Sequence, residues 1–192
     1  GKDPRRTALS FLQSTVSYGD LAAQAGRIAA HLLRCHARPG DRVLLVSDNS
    51  LFWVACYLGT LQAGLITVLI PANSSASDLA SILRMSGAGI VCAQASVVAT
   101  YGSAFSGTHL LTDRASPPVS GVLSQVNCST LSSTQPPVSD YAPVNHDQLA
   151  AVVFTSGSTG HPRGVMIAHS NIIANTESIV SYLSLNQQDR MM

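Results

Sequence analysis

One loop of the chain combines residue types that could hold a phosphate group. The stretch "FTSGSTGHPRGV" (residues 154–165) places six consecutive Gly, Ser and Thr residues between an apolar run and a basic residue. Gly157 and Gly160 allow the backbone to turn tightly and to approach a ligand closely. Arg163 supplies a permanent positive charge that can donate paired hydrogen bonds to phosphate. The hydroxyl groups that add further donors belong to Thr155, Ser156, Ser158 and Thr159.

This loop differs from the phosphate loop of the form G-x-x-x-x-G-K-[ST], which opens a helix. The lysine is missing, the two glycines are three residues apart, and Pro162 and Arg163 are followed by "GVMIAH", which predicts a strand. We therefore expect the loop to join two strands, so that affinity comes from backbone amides, hydroxyls and Arg163. A flexible Gly/Ser hairpin without a ligand is the alternative, and such a run considered alone favours it.

Upstream of the loop, predicted strands and helices alternate. Leu21, Ala25, Ile28 and Leu32 recur at helical spacing after the capping pair Ser17 and Asp20. Continuous apolar runs predict strands that are covered on both faces; these are "RVLLVS", "LITVLIP", "GIVCAQ" and "THLLTD". Helices are predicted between them, in "LFWVACYLGTLQAG" and "SDLASILRMSG". This order is typical of an α/β fold: a layered, mostly parallel sheet with flanking helices.

The pattern divides the chain into three segments. Residues 1–113 are predicted to form an N-terminal α/β subdomain. Residues 114–147 are rich in Ser, Thr and Pro, which predicts a linker or surface loop. Residues 148–192 are predicted to hold the loop between its two strands and a helix with Ser170 as N-cap, as the start of a second sheet subdomain. A new apolar run begins at "DRMM", so we expect a fragment of a longer protein.

Composition excludes several classes of function. The 192 residues carry a net charge of +1 and no basic cluster, which argues against a nucleic-acid-binding surface. Cys35, Cys56, Cys92 and Cys128 are scattered, which favours core positions over a metal site or a disulfide framework. Polar and glycine residues interrupt the longest apolar run, 51–70, so no membrane span is predicted. Without a recognisable secretory signal, we expect a cytoplasmic protein.

The string "TSGSTGHPRG" closely resembles the signature of the adenylate-forming superfamily. That group includes acyl-CoA synthetases, adenylation domains of nonribosomal peptide synthetases, and luciferases. Every position from Thr155 to Gly164 fits the pattern Thr/Ser-Ser-Gly-Ser/Thr-Thr-Gly-x-Pro-Lys/Arg-Gly. The blocks "VSYGDLAAQAGRIAAHLL", "GDRVLLVSDNS" and "YLGTLQAGLITVLIP" also resemble the family's N-terminal subdomain in order and spacing. The resemblance is weakest in the Ser- and Pro-rich segment.

The resemblance implies a two-step, ATP-dependent ligase. A carboxylate attacks the α-phosphate of Mg·ATP to give an acyl-adenylate and pyrophosphate, and a thiol of CoA or of a carrier protein's phosphopantetheine then takes the acyl group. Arg163 would neutralise the leaving pyrophosphate, and Gly157 and Gly160 would shape the loop. The resemblance assigns phosphate contacts to Thr155, Ser156, Ser158 and Thr159. We expect His169 to be structural or to line the site and His161 to be exposed, and we predict no metal ligand among this chain's residues.

Other motifs that this resemblance implies are missing from the chain. The aromatic-Gly-x-Thr-Glu motif for adenine and Mg²⁺, the Thr-Gly-Asp motif for ribose and a later lysine would lie beyond Met192, so we expect this portion alone to be inactive. "LIPANSS" stands where peptide synthetases usually carry Pro-Leu-Asp-Pro, which favours acyl- or aryl-CoA (or acyl-carrier-protein) ligases. Two alternatives remain open: a nucleotide hydrolase or kinase with an unusual phosphate loop, and a non-catalytic binding module.

Overall fold

A computed structural model describes residues 3–11, 14–131, 145–155 and 163–189. The strands are β1 (Thr7–Phe11), β2 (Ser14–Ser17), β3 (Arg42–Val46), β4 (Ile66–Ile70), β5 (Ile90–Ala93), β6 (His109–Thr112), β7 (Ser124–Asn127), β8 (Leu149–Thr155) and β9 (Arg163–Ala168). The α-helices are α1 (Tyr18–Arg34), α2 (Leu51–Gln62), α3 (Ala76–Ser86), α4 (Ala95–Tyr101) and α5 (His169–Tyr182). Short 3₁₀ turns span Gly102–Phe105 and Cys128–Thr130.

In the described part of the chain, seven strands form one sheet in the order β7-β6-β5-β3-β4-β8-β9. All neighbours are parallel except β8 and β9, which run antiparallel. β1 and β2 form a separate antiparallel pair. The predicted α/β class, with a mostly parallel sheet, is confirmed.

The sheet lies between two layers of helices because the side chains of its strands alternate between two faces. Val43 and Leu45 pack with α1 and α2 on one face. Leu44 and Val46 pack with α3 and α4 on the other. All four side chains are fully buried, as expected for a parallel sheet that is covered on both sides.

Local signals in the sequence account for the helix ends. Ser17 caps α1: its Oγ accepts the Asp20 N–H at 3.1 Å and donates to the Asp20 carboxylate at 2.7 Å, which confirms the predicted capping pair. Ser75 caps α3 in the same way. That helix ends at Gly87, which has a left-handed φ of 59° that a glycine adopts without strain.

The helix that follows β9 begins earlier than predicted. Its N-cap is Ala168 rather than Ser170, and α5 starts at His169. The Asn171 Oδ1 accepts the Ala168 backbone N–H at 2.8 Å. At the start of this helix, the side-chain hydrogen bond is therefore made by Asn171 and not by Ser170. The prediction of Ser170 as the N-cap is therefore wrong by two residues.

The segment 114–147 contains a strand that its composition does not suggest. β7 pairs in parallel with β6, with Leu110 opposite Gln125, and it ends one side of the sheet. Its sequence, SQVN, has no apolar run, so the prediction of a linker or surface loop misses this element. At the other end, β8 pairs with β4, so the strand that opens the third predicted segment continues the same sheet. The domain boundaries at 113 and 147 stay predictions.

No helix in the part of the chain that the structure describes is long and apolar enough to cross a membrane.

Candidate functional site

The candidate site lies at the carboxyl edge of the parallel sheet. β3, β4 and β8 are in parallel register, with Val46 opposite Ile70 and Leu69 opposite Val153, so they end together. The chain leaves β3 toward α2 on one face of the sheet, whereas it leaves the neighbouring β4 toward α3 on the other. Such a change of direction opens a crevice between the two strand ends, and ligands of open α/β sheets bind there.

A groove of about 450 Å³ occupies this position. The residues that line it follow β3 and β4 or belong to α2 and to the ends of β4 and β8; they include Asp48, Asn49, Trp53, Asn73 and Phe154. These residues come from separate stretches of the sequence, and no pattern in it brings them together into one site. The groove exists because of the order of the strands in the sheet, and that order cannot be predicted from the sequence pattern alone.

Hydrogen bonds hold the β3 side of the groove in place. The Asp48 N–H donates to Gln94 Oε1 at 3.0 Å, and the Ser47 hydroxyl donates to the Asp48 carbonyl at 2.9 Å. Ser50 accepts the Trp53 N–H at 3.1 Å and thereby caps α2. The Trp53 ring stacks on Tyr57, with centroids 5.4 Å apart and planes 12° from parallel. Trp53 therefore presents an ordered aromatic wall to the groove.

The predicted phosphate loop leaves the sheet beside this groove. β8 and β9 form an antiparallel pair that closes with Thr155 opposite Arg163. The prediction that the loop joins two strands is therefore confirmed. Ser156, Gly157, Ser158, Thr159 and Gly160 lie outside the described residues, as do His161 and Pro162. Their predicted roles, and the side-chain role of Thr155, stay predictions.

Arg163 occupies the first position of β9, and its side chain is exposed. Its Cα lies across the hairpin from that of Thr155, so the strand ladder fixes its backbone at the end of the loop. A guanidinium at this place brings a permanent positive charge to the carboxyl edge of the sheet.

Gly164 is required for packing within the hairpin. A Cβ at this position would lie 2.9 Å from Val152 Cγ1 and 3.2 Å from Phe154 Cζ. The absence of a side chain therefore lets the Phe154 ring cover the backbone of β9. Because Phe154 also lines the groove, Gly164 links the hairpin's packing to the shape of the site.

His169 lies behind the hairpin, at the start of α5. The backbone N–H of His169 donates to the Gln148 carbonyl at 3.0 Å, and the backbone N–H of Ser170 donates to the His146 carbonyl at 2.8 Å. Burial, together with the nearby His146, lowers the pKa of His169, which favours a neutral ring at pH 7. These contacts tie the helix to the segment before β8.

Within the described ranges, no group of three or more His, Cys, Asp or Glu side chains could hold a metal ion. Among the described residues, the polar groups that line the groove include the amides of Asn49 and Asn73 and the Asp48 carboxylate, and Arg163 stands at the end of the neighbouring hairpin. The amides and the guanidinium are donors that suit an anion such as a polyphosphate, whereas the carboxylate adds a negative charge.

Comparison with known proteins gives the family. The sequence model of a family described as "AMP-binding enzyme" matches residues 1–192. Over 177 residues the chain is 30% identical to phosphinothricin tripeptide synthetase PhsC of Streptomyces viridochromogenes, which covers 92% of this chain and 15% of that protein.

Solved structures show the same fold. MatB from Rhodopseudomonas palustris, without ligand, superposes with a TM-score of 0.82 at 24% identity, covering 97% of this chain and 36% of MatB. MatB has also been solved bound to ATP. A fatty acid AMP ligase from Legionella pneumophila superposes with a TM-score of 0.72 at 29% identity, covering 93% of this chain and 29% of that protein.

The chain thus spans about a third or less of the length of these relatives. The resemblance to adenylate-forming enzymes is confirmed over nearly the whole chain. The fold agrees with it, since a parallel sheet with helices on both faces carries an antiparallel hairpin at its carboxyl edge. The match to the family model shows that this chain belongs to the AMP-binding enzyme family.

Proposed function

We propose that this chain is the N-terminal part of an ATP-dependent, carboxylate-activating ligase. The observation that carries the proposal is the hairpin of β8 and β9. It brings both ends of the Gly-, Ser- and Thr-rich loop, Thr155 and Arg163, to the carboxyl edge of the sheet. Phosphate chemistry depends mostly on positioning and on charge neutralisation, and this edge offers both.

In this proposal, the loop grips the β- and γ-phosphates of ATP. Ser156, Ser158 and Thr159 donate hydroxyl hydrogen bonds together with Thr155, and Gly157 and Gly160 let the backbone amides reach the phosphate oxygens. Arg163 stabilises the negative charge that develops on the departing pyrophosphate. Mg²⁺ enters as Mg·ATP, and the residues that bind it belong to parts of the parent protein other than residues 1–192.

The second step transfers the acyl group to a thiol. We infer a CoA or carrier-protein phosphopantetheine thiol as acceptor, with a small-molecule carboxylic acid as substrate. The similarity to a fatty acid AMP ligase and to the tripeptide synthetase PhsC supports a carboxylic acid as substrate, and both acceptors stay in the proposal. The "LIPANSS" block, whose Pro71, Ala72 and Asn73 line the groove, favours the acyl- or aryl-CoA (or acyl-carrier-protein) ligases.

The test is carboxylate-dependent exchange of pyrophosphate into ATP by the full-length protein, over a panel of fatty, aryl and amino acids. We expect exchange with one class of acid and AMP as the nucleotide product. Formation of ADP without exchange would instead support a nucleotide hydrolase or kinase. No turnover with any acid would support a binding module.

A second measurement asks where the activity resides. Residues 1–192 expressed alone should show no acid-dependent pyrophosphate release, because the regions implied to hold adenine, ribose and the acid lie elsewhere in the parent protein. Release by this portion alone would contradict the proposed division of labour. The full-length protein in the same assay serves as the positive control.

A further inference from the structure

A second cavity lies at the carboxyl edge of the sheet, on the β5 side of β3, whereas the groove lies on the β4 side. The chain leaves β3 toward α2 on one face of the sheet, and it leaves the neighbouring β5 toward α4 on the other. The strands end in register, with Val46 opposite Ala93 and Thr112 opposite both Ala93 and Asn127. This change of direction leaves a cavity of about 670 Å³ between α1, the start of α2 and the ends of β6 and β7.

The first turns of α2 separate this cavity from the groove. Trp53 lines the groove, whereas Leu51, Phe52 and Ala55 line the second cavity. In the described part of the chain, no residue lines both. The volume of the second cavity lies within the range of about 300–1,000 Å³ that is usual for small-molecule pockets. A ligand in this cavity therefore need not compete with one in the groove.

The inner wall of the second cavity is apolar. Ile28 and Ala55 are 2% and 1% exposed, and Phe52 adds an aromatic side chain that is 9% exposed. Cys128 and Leu131 lie at the end of β7 and pack against the same core. Because contact with such a wall removes apolar surface from water, it favours a ligand with an apolar body.

Arg27 brings a positive charge to this cavity. It is half-buried on α1, directly before Ile28 in the wall. The ion pairs between described residues join Arg5, Arg42 and Arg114 to aspartates. Among the described residues, no ion pair or hydrogen bond engages the Arg27 guanidinium. Its donors are therefore available for a flat anion such as a carboxylate, which a guanidinium binds through two parallel hydrogen bonds.

Asp113 limits the charge that the cavity can take. Its carboxylate lines the cavity and already has partners: Oδ1 accepts the Ala95 N–H at 2.7 Å, and Oδ2 accepts the Arg114 guanidinium at 3.1 Å. A carboxylate held in this way repels a second anion. One available guanidinium and one fixed carboxylate therefore suit a ligand with a single negative charge better than a doubly charged phosphate.

We propose that this cavity is a small-molecule site that binds a monocarboxylate with an apolar body. The carboxylate of the ligand pairs with Arg27, and its apolar body lies against Ile28 and Phe52. Gln24 and Thr130, which also line the cavity, offer further hydrogen bonds to the carboxylate end. The proposal does not rest on the ligase function, because no residue of the β8–β9 hairpin lines this cavity.

Cys128 gives a local test, because it lines the cavity and is half-buried. The full-length protein is treated with iodoacetamide at increasing concentrations of octanoate. Mass spectrometry follows alkylation of Cys128 in the tryptic peptide 115–163, in which it is the only cysteine. Cys35 is half-buried outside the cavity and reports through peptide 35–42 as an internal control. 1-Octanol has the same chain length without the charge and serves as the neutral probe.

We expect octanoate to slow alkylation of Cys128 in a saturable manner and to leave Cys35 unchanged. Arg27→Gln should raise the octanoate concentration for half-protection by about tenfold or more, since a charge-assisted contact is lost. Arg27→Lys, which keeps the charge, should lose less. Arg34→Gln is the matched control, because Arg34 is an exposed arginine of the same helix, and it should protect like the unsubstituted protein. Circular dichroism checks that each variant is folded.

Four results would overturn the proposal. One is that octanoate gives no protection of Cys128 at any concentration below its micelle-forming range. Another is equal protection by 1-octanol, and a third is undiminished protection in Arg27→Gln. The fourth is a Cys128 that iodoacetamide modifies only after the full-length protein is unfolded in urea, which would show that the parent protein covers the cavity.

Discussion

At the scale of single residues, Arg163 is the charged group on which the proposed phosphate site most depends. It is exposed at the start of β9, and the strand ladder sets its backbone opposite Thr155. Substitution of Arg163 therefore distinguishes a loop that binds phosphate from a hairpin that binds no ligand.

We expect Arg163→Ala in the full-length protein to slow acid-dependent pyrophosphate exchange while the fold stays intact. Loss of a charge-assisted phosphate contact costs about 1.5–3 kcal/mol, which is roughly 10- to 150-fold in rate. Arg163→Lys keeps the charge without the planar fork and should lose less. Equal exchange rates in all three proteins would show that the loop does not hold phosphate.

His31 is a second residue with a consequence that can be measured. It is only 8% exposed, on the buried side of α1, with Cys35 Sγ 3.8 Å from its Nε2. Burial, with smaller contributions from Arg34 and His109, lowers the pKa of His31 to about 4. The folded protein therefore keeps this ring neutral at a pH where the unfolded chain, with a pKa near 6.5, binds a proton.

The sign of the pH dependence follows from these two pKa values. The stabilising contribution is complete above about pH 6.5 and is lost as pH falls toward 4, because only the unfolded chain takes up the proton in that interval. We expect the free energy of unfolding to fall by up to about 2 kcal/mol, allowing for solvent screening at a partly accessible ring. Urea denaturation at pH 7 and pH 4.5 measures the change.

His31→Gln should make that pH dependence shallower. The matched control is His36→Asn: His36 is exposed just beyond α1 and has a φ of 61°, which asparagine tolerates. The control should keep the slope of the unsubstituted protein. If His31→Gln also kept it, another group would be responsible for the acid sensitivity.

At the scale of elements, α1 and α2 approach each other closely at Gly59. A Cβ there would lie 2.7 Å from the Ala25 carbonyl oxygen and 3.0 Å from Ile28 Cβ. In the sequence, Gly59 is recognisable only as one of the residues that interrupt the apolar run 51–70. In the structure, it is the point where two helix backbones pack together, as small residues allow.

We expect Gly59→Ala to push α1 away from α2 and to lower the free energy of unfolding by about 1–3 kcal/mol. Gly89→Ala is the matched control, because a Cβ at Gly89 would meet no heavy atom within 4 Å. That change should be neutral or stabilising by about 0.4–1 kcal/mol, since it restricts the unfolded chain. Equal losses of stability in both variants, measured by thermal or urea denaturation, would contradict the proposed helix contact.

Local and non-local signals explain how much of the fold the sequence predicts. The apolar runs of β3 to β6 and the caps at Ser17 and Gly87 act within a few residues, so they are predictable. β7 is a strand only because β6 offers it a parallel ladder, and no local pattern records that partner. The strand order likewise depends on distant parts of the chain.

The site shows the same division. The hairpin at Thr155 and Arg163 follows from the glycine-rich string between two apolar runs. The groove beside it depends on where β3 and β4 lie relative to β8, which pattern alone does not give. The packing of Phe154 over Gly164 could have been suspected only from the glycine itself, which stands second in its strand.

At the scale of the whole molecule, one region is poorly covered. α5 has no buried residue, and its neighbour β9 is the last strand of the sheet. Met166 is 69% exposed and Tyr182 87% exposed, and Val165, Val180 and Leu183 are also exposed. An apolar surface of this kind beside an open strand edge favours association.

We expect residues 1–192, when purified alone, to self-associate in a concentration-dependent manner. Replacing Met166 and Tyr182 together with serine should shift the population toward monomer. Leu123→Ser is the control, since Leu123 is equally apolar and exposed but precedes β7 at the other end of the sheet. Size-exclusion chromatography with light scattering gives the mass. A monomer at all concentrations would contradict the expectation.

The position of β8 has a consequence for synthesis on the ribosome. β5, β6 and β7 lie on one side of β3 and are synthesised before β8, which pairs with β4 on the other side. Until residue 155 leaves the exit tunnel, the apolar strand ITVLI has one unpaired edge, which can template pairing with other chains. Nascent chains stalled soon after β7 should therefore recruit a chaperone and release it once β8 has emerged, which site-specific crosslinking at β4 would detect.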